Sequence, residues 1–209
     1  MRDTLVMLEF VATGNDSDAA AEVAANLGGI SYLADPDDPR ELPFRAMVRA
    51  MTSDLDALAS AAGTGLYTIF SRTIKARPEA VSPGQPSTGV TGIFPLVHHP
   101  DLTHTQTDTH WRDTHAPLAL AHHPGMWDYT QCSVLQTMAG PVYDGFAMVA
   151  FASMQDMKER FFANDEGRAI IHADVASFAD TKASPRRVVA TETIYGQRPP
   201  VPPVTWPHE

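Results

Sequence analysis

The sequence predicts an α+β fold in which two β-α-β-β-α-β units bring their sheets together around one core. Three observations predict it. Apolar or alternating runs and capped helical runs follow one another in that order twice along the chain. A stretch rich in Pro, Ser and Gly, residues 78–89, separates the two passes. Two short identities align them, Ala46-Met47-Val48 with Ala147-Met148-Val149 and Thr73-Ile74 with Thr193-Ile194. The second alignment puts the extra length of the second unit between its third and fourth strands. An apolar sheet face must be covered, and two such sheets cover one another.

In the first unit, residues 1–77, Leu5–Ala12 reads as a strand. Asp16 or Ser17 caps a helix through Leu27, which Gly28-Gly29 stops. Ile30–Ala34 is a strand, and residues 35–43 form a loop, since Pro fixes φ and Asp bonds its own backbone. Arg45–Met51 alternates as a strand does. Ser53 caps a helix to about Ala62, and Leu66–Arg77 is the fourth strand.

The second unit, residues 90–195, opens on the strand Val90–Val97. Asp101 or Thr103 caps a helix that must kink or restart at Pro117. Met126–Leu135, Phe146–Ala152 and Arg187–Tyr195 are strands, the second after a turn at Asp144-Gly145. Ser153 caps a helix to about Ala163, and residues 164–181 are partly helical. Residues 196–209 are a Pro-rich tail.

Of the 209 residues, 44% are hydrophobic, enough for one large core or two small ones. A net charge of -10 with no basic block disfavours nucleic acid and anionic membranes as partners. One cysteine, Cys132, excludes an internal disulfide and a cysteine zinc cluster. No membrane-length apolar run or leader pattern is present, so a cytoplasmic protein is expected. The chain has neither a Gly-rich phosphate loop nor a Gly-x-Ser-x-Gly elbow.

The stretch Thr109–Leu118, THWRDTHAPL, carries the chemistry. At about 100° per residue, Trp111, His115 and Leu118 share one helix face, while His110 lies roughly 140° from His115. A face with Trp and Leu is buried, so His115 points inward, either as a core histidine bonded to a carbonyl or as a general base. The separation argues against a zinc pair at His110 and His115, and no metal is expected. Tyr129 and Tyr143 are candidate acids or oxyanion donors, or else core aromatics. Asp174 fixes a histidine tautomer or caps a helix. Trp111, Phe94, Phe146, Phe151 and Met148 are the candidate lining of a pocket for a small apolar or aromatic substrate. His98-His99 and His122-His123 flank turns and read as solvated.

The same stretch resembles the signature helix of the EthD family. The resemblance continues through Gly125, Tyr129 and Tyr143-Asp144-Gly145, ends in Asp174, Phe178 and Asp180, and covers roughly residues 89–195. It implies a ferredoxin-like fold of the dimeric α/β-barrel type. The first unit has no His-Trp-x-x-x-His helix, so it reads as a degenerate ferredoxin-like repeat and the barrel as intramolecular. Relatives of this type include cofactor-free cyclases, decarboxylases, dehydratases and lyases, and haem-linked monooxygenases. The expected function is therefore a cofactor-independent lyase, isomerase, dehydratase or cyclase. His115 would be the catalytic base with His110 and Tyr129 assisting, and Trp111, Phe94, Tyr143, Phe146 and Asp174 would bind substrate. The alternatives are a non-catalytic carrier of a small ligand and a haem-linked monooxygenase. The expected partner is a small molecule, and the chain is expected to be a monomer or a homodimer.

Overall fold

The structure, a computed structural model, describes residues 8–78 and 81–196. The first pass supplies β1 (Leu8–Gly14), α1 (Ser17–Leu27), β2 (Ile30–Ala34), β3 (Ala46–Thr52), α2 (Leu55–Ser60) and β4 (Gly65–Lys75). The second supplies β5 (Val90–Leu96), α3 (His104–His110), a π-helical turn (Trp111–His115), α4 (Ala116–His122), β6 (Met126–Ala139), β7 (Gly145–Phe151), α5 (Met154–Glu159), α6 (Asp165–Phe178) and β8 (Val188–Ile194). Asp16, Thr103, Ser153 and Asn164 cap their helices as side-chain acceptors. The cap of α2 is Asp54 rather than Ser53. Gly28, at φ +63°, ends α1 in the left-handed conformation that a residue without Cβ adopts freely.

The eight strands of the described residues pair antiparallel into one closed barrel, in the order β1-β3-β2-β8-β5-β7-β6-β4. Each pass contributes four neighbouring strands. The two sets do more than face each other: β2 bonds to β8 and β4 bonds to β6, so both seams are hydrogen-bonded. Closure leaves no free edge, the row of unpaired backbone groups that open sheets must otherwise protect. The linker is tied down as well. Gly84 and Ser87 donate their N–H groups to Ile194 and Glu192 carbonyls at 2.7 Å, and Pro86 bridges Thr193. The expected tail beyond Gly196 and the expected strand residues Leu5–Met7 lie outside the described residues.

Alternation decides what fills the barrel. Val11, Tyr32, Met47, Ile93, Cys132, Phe146 and Met148 point inward with their same-face neighbours. Outward residues of β1 and β3, such as Phe10, Ala12, Ala46 and Val48, pack with α1 and α2. The Ala-Met-Val identity keeps this register, since Met47 and Met148 both face inward. The Thr-Ile identity does not: Ile74 packs outside the barrel and Ile194 inside it, so those two residues do not correspond. Among the described residues no helix is long and apolar enough to cross a membrane.

The interior also holds charge. Arg49 Nε donates to Glu9 at 2.5 Å, its second nitrogen donates to Ser71 Oγ at 2.9 Å, and Ser71 donates back to Glu9. Arg77 pairs with Asp128 and with Glu192, which also accepts from the Tyr32 hydroxyl. Removing one member of such a pair leaves the other charge buried and uncompensated, which costs about 3–5 kcal/mol. Glu9→Ala should lower unfolding free energy by about that much in urea titrations. The double change Glu9→Leu with Arg49→Met should recover most of the loss. Equal destabilisation of the single and double variants would contradict this account.

Candidate active site

The site is built where α3 runs into α4. Thr103 and Gln106 form a capping box that starts α3. Pro117, in the first turn of α4, has no N–H to give to the carbonyl four residues back. The helix widens just before it: Ala116 N–H reaches back five residues to the Trp111 carbonyl. Gln131 on β6 bonds the same carbonyl through its side-chain amide at 2.9 Å.

Widening changes which residues share a face. On a uniform α-helix His110 and His115 would be turned apart; across the π turn they converge on one carboxylate. His110 Nε2 lies 2.7 Å from one oxygen of Asp174, and His115 Nδ1 lies 2.7 Å from the other. Asp174 lies in the body of α6 and does not cap it. Both of its oxygens are engaged by imidazoles, one to each. Both rings rest on Phe178, with centroids 5.0 and 5.2 Å away. Burial pushes the Asp174 carboxyl up, but the hydrogen bonds from His115 and His110 outweigh it and hold the group below its ordinary value. An ionised carboxylate only accepts, so each histidine donates at the bonded nitrogen. The Nε2 atom of His115 is left without a partner among the described residues. His115 itself is only 8% exposed, as an inward histidine should be.

A second layer fixes Trp111. Its indole N–H donates to the Tyr129 hydroxyl at 3.0 Å, and Gln131 donates to the same oxygen at 3.0 Å. Burial pushes the Tyr129 phenol up to about 12 despite these donors, so it is a neutral phenol at ordinary pH. The indole lies against Gly145, where a Cβ would come within 2.6 Å of a ring carbon, so a larger residue would displace it. Arg72, contributed by β4 of the first pass, holds Asp108 of α3 with two bonds of 2.8 and 2.6 Å and lies 5.8 Å from the Trp111 ring centroid. Burial raises the Asp108 carboxyl, and the bonds from Arg72 more than reverse that.

The expected substrate-lining set is divided by the sheet. Trp111, Tyr129 and Asp174 lie on the outer, helix-covered side. Tyr143 and Phe146 lie inside the barrel against Tyr67, with centroids 5.8 and 5.2 Å from it. Met148 is inside with them, whereas Phe151 packs outside. Phe94 is also outside, but it packs on Phe161 at 6.0 Å under the guanidinium of Arg187, in a cluster separate from Trp111.

Of the histidines read as solvated, His98 has a defined carboxylate partner, which it shares with His104. His98 and His104 both bond Asp144 through Nδ1 at 2.9 Å, a second carboxylate held between two imidazoles. His123 is buried against Phe161 and Phe162, bonds the Phe161 carbonyl, and is pulled down to about 4 by burial. The Cys132 thiol, buried in the barrel, is pushed up to about 12 and is no nucleophile at ordinary pH. Among the described residues no group of three or more His, Cys, Asp or Glu is arranged to hold a metal. The spacing argument that turned His110 away from His115 nevertheless fails, for the reason given by the π turn.

Sequence reasoning missed Arg72 and Gln131 as partners of the site. Arg72 had one faint signal, a cation in the interior of an apolar strand. Gln131 had none.

No curated protein matches the chain. A solved structure, described as "Crystal structure study of anthrone oxidase-like protein", shares 11% identity with it at a TM-score of 0.54. The match covers 91% of this chain and 93% of that one, so the likeness spans both passes, and at such identity it shows the fold alone. The family model that matches is the EthD domain, over residues 99–182, a segment that contains Asp144, the histidine helix and the whole of α6. Over that segment the chain is similar to the EthD domain.

Proposed function

We propose that the chain is a cofactor-independent enzyme of the lyase, isomerase, dehydratase or cyclase kind, with His115 as its general base and a small apolar or aromatic molecule as its substrate. One observation carries the reading: an ionised, largely buried carboxylate holds His115 by Nδ1 and leaves Nε2 as the acceptor. Nε2 takes a proton from a carbon or hydroxyl acid. Asp174 stabilises the imidazolium that results and keeps the ring in one tautomer and orientation, and the proton is returned in the second half of the cycle. His110 shares the carboxylate and offsets part of its charge. We also read the first pass as a ferredoxin-like repeat that has lost its own histidine helix and serves the site through Arg72.

Anthrone, after which the structural neighbour is named, is a suitable first probe because its ring methylene carries acidic hydrogens. In D2O the wild-type protein should speed deuterium uptake into anthrone or a related aromatic ketone, followed by NMR. His115→Gln keeps the volume but cannot cycle the proton, and should lower that rate by about 10²–10⁴. Asp174→Asn offers one acceptor and one donor where two acceptors are needed, and should also lower it, while His110→Gln should do so less. A folded His115→Gln protein exchanging at the wild-type rate would refute the assignment.

The clamp also makes a prediction about pH. Asp174 titrates lower in the folded protein than its ordinary value of 3.8, so its contribution to stability is complete above that value and is lost as pH falls through the depressed one. The stability gap between wild type and Asp174→Asn should close as pH falls below about 4. A gap that persists at pH 2 would mean that the carboxylate is not what ties α6 to the π turn.

A further inference from the structure

Three hydrogen-bonding valences on neighbouring residues beside Trp111 have no match among the described residues. Arg72 and Gln131 are direct cross-strand partners on β4 and β6. The two terminal nitrogens of Arg72 are spent on Asp108, and its Nε–H is buried without a partner. The amide nitrogen of Gln131 is spent on the Trp111 carbonyl and the Tyr129 oxygen, and its Oε1 is buried without a partner. Reversing the amide would not help, because Oε1 would then face the Trp111 carbonyl, acceptor against acceptor. Tyr129 is the third. Its oxygen already accepts from the indole and from Gln131, so its own O–H must point away from both, and it meets no acceptor among the described residues.

We infer that one internal water molecule occupies this spot, accepting from Arg72 Nε–H and Tyr129 O–H and donating to Gln131 Oε1. Three bonds is the usual complement of a buried water, which is found where polar groups would otherwise go unsatisfied. A carbonyl or carboxylate oxygen would fit the two donors but has no hydrogen for Gln131. The oxygen must therefore carry one, and the near-complete burial of Trp111, Tyr129, Gln131 and Arg72 makes it a water. The Tyr129 proton is then committed to the water. Tyr129 becomes a residue that positions Trp111, and not the acid or oxyanion donor that its residue type suggested. This inference does not depend on the proposed reaction, and its test does not read turnover.

The test is a crystal structure of the full chain at a resolution that places ordered waters. A peak about 2.7–3.2 Å from Arg72 Nε, Tyr129 Oη and Gln131 Oε1 is expected. An empty position, with Arg72 Nε directly on Gln131 Oε1, would overturn the inference. In Gln131→Leu the peak should vanish, and oxygen-17 relaxation of the solvent should count one long-lived water fewer; an undiminished peak or count would also overturn it. Should Gln131→Leu fail to fold, Tyr129→Phe removes one donor and keeps the ring. There the peak should weaken and the Trp111 indole N–H resonance should shift while that of Trp127 stays. Full occupancy with an unmoved indole signal would count against the assignment.

Discussion

Asp174 can only accept hydrogen bonds, and it accepts from His110 and His115 at once. That double demand is compatible with one helix geometry. Residues five apart must lie nearly over one another, which an α-helix does not allow and a π turn does. The turn in turn needs its opened carbonyl satisfied, and Gln131 reaches up from the sheet to the Trp111 carbonyl beside the Ala116 N–H. Helix, sheet and α6 are thus fixed to one another through a few polar atoms, and the imidazole with a free nitrogen is placed as a result.

Barrel closure extends the same logic across the chain. The β4–β6 seam joins strands from the two passes, and it sets Arg72 opposite Gln131, directly below the histidine helix. The first pass carries no histidine helix of its own, yet its guanidinium grips Asp108 and covers the indole of Trp111. A site in the second half therefore depends on the first half being present and in register. Inside the barrel the Glu9–Arg49–Ser71 group places a similar demand on register, because a one-residue slip of β1, β3 or β4 would turn its side chain to the outer face.

Much of the fold was legible. The β2 boundaries, the Thr103 and Ser153 caps and the interruption at Pro117 follow from local rules that act within a few residues, and those rules hold here. The α+β class follows from the order of the elements. What was not legible is long-range or breaks the assumed period. The 3.6-residue period placed His115 inward, as found, but also turned His110 away from it, because nothing local announces a π turn. Asp174 was named, yet its partners lie 64 and 59 residues back, beyond any periodic argument. Tyr143 and Phe146 were grouped with Trp111 by residue type, and the pleat put them on the other side of the sheet. The Thr-Ile identity failed for the same reason, since composition cannot say which face a strand residue takes.

The two carboxylates that each hold a pair of imidazoles show why geometry has to be weighed with burial. Asp144 and Asp174 are both well covered, and each receives two histidines. The imidazoles on Asp144 are each 39% exposed at the side chain, so water competes for them and they work mainly as ties between the start of α3 and the turn before β7. His115 on Asp174 is 11% exposed at the side chain and rests on Phe178. There the local dielectric is lower, so the same carboxylate exerts a stronger pull on any charge the ring acquires. The chemistry of the two clusters is alike, and what separates His115 from the imidazoles on Asp144 is the depth at which its ring sits.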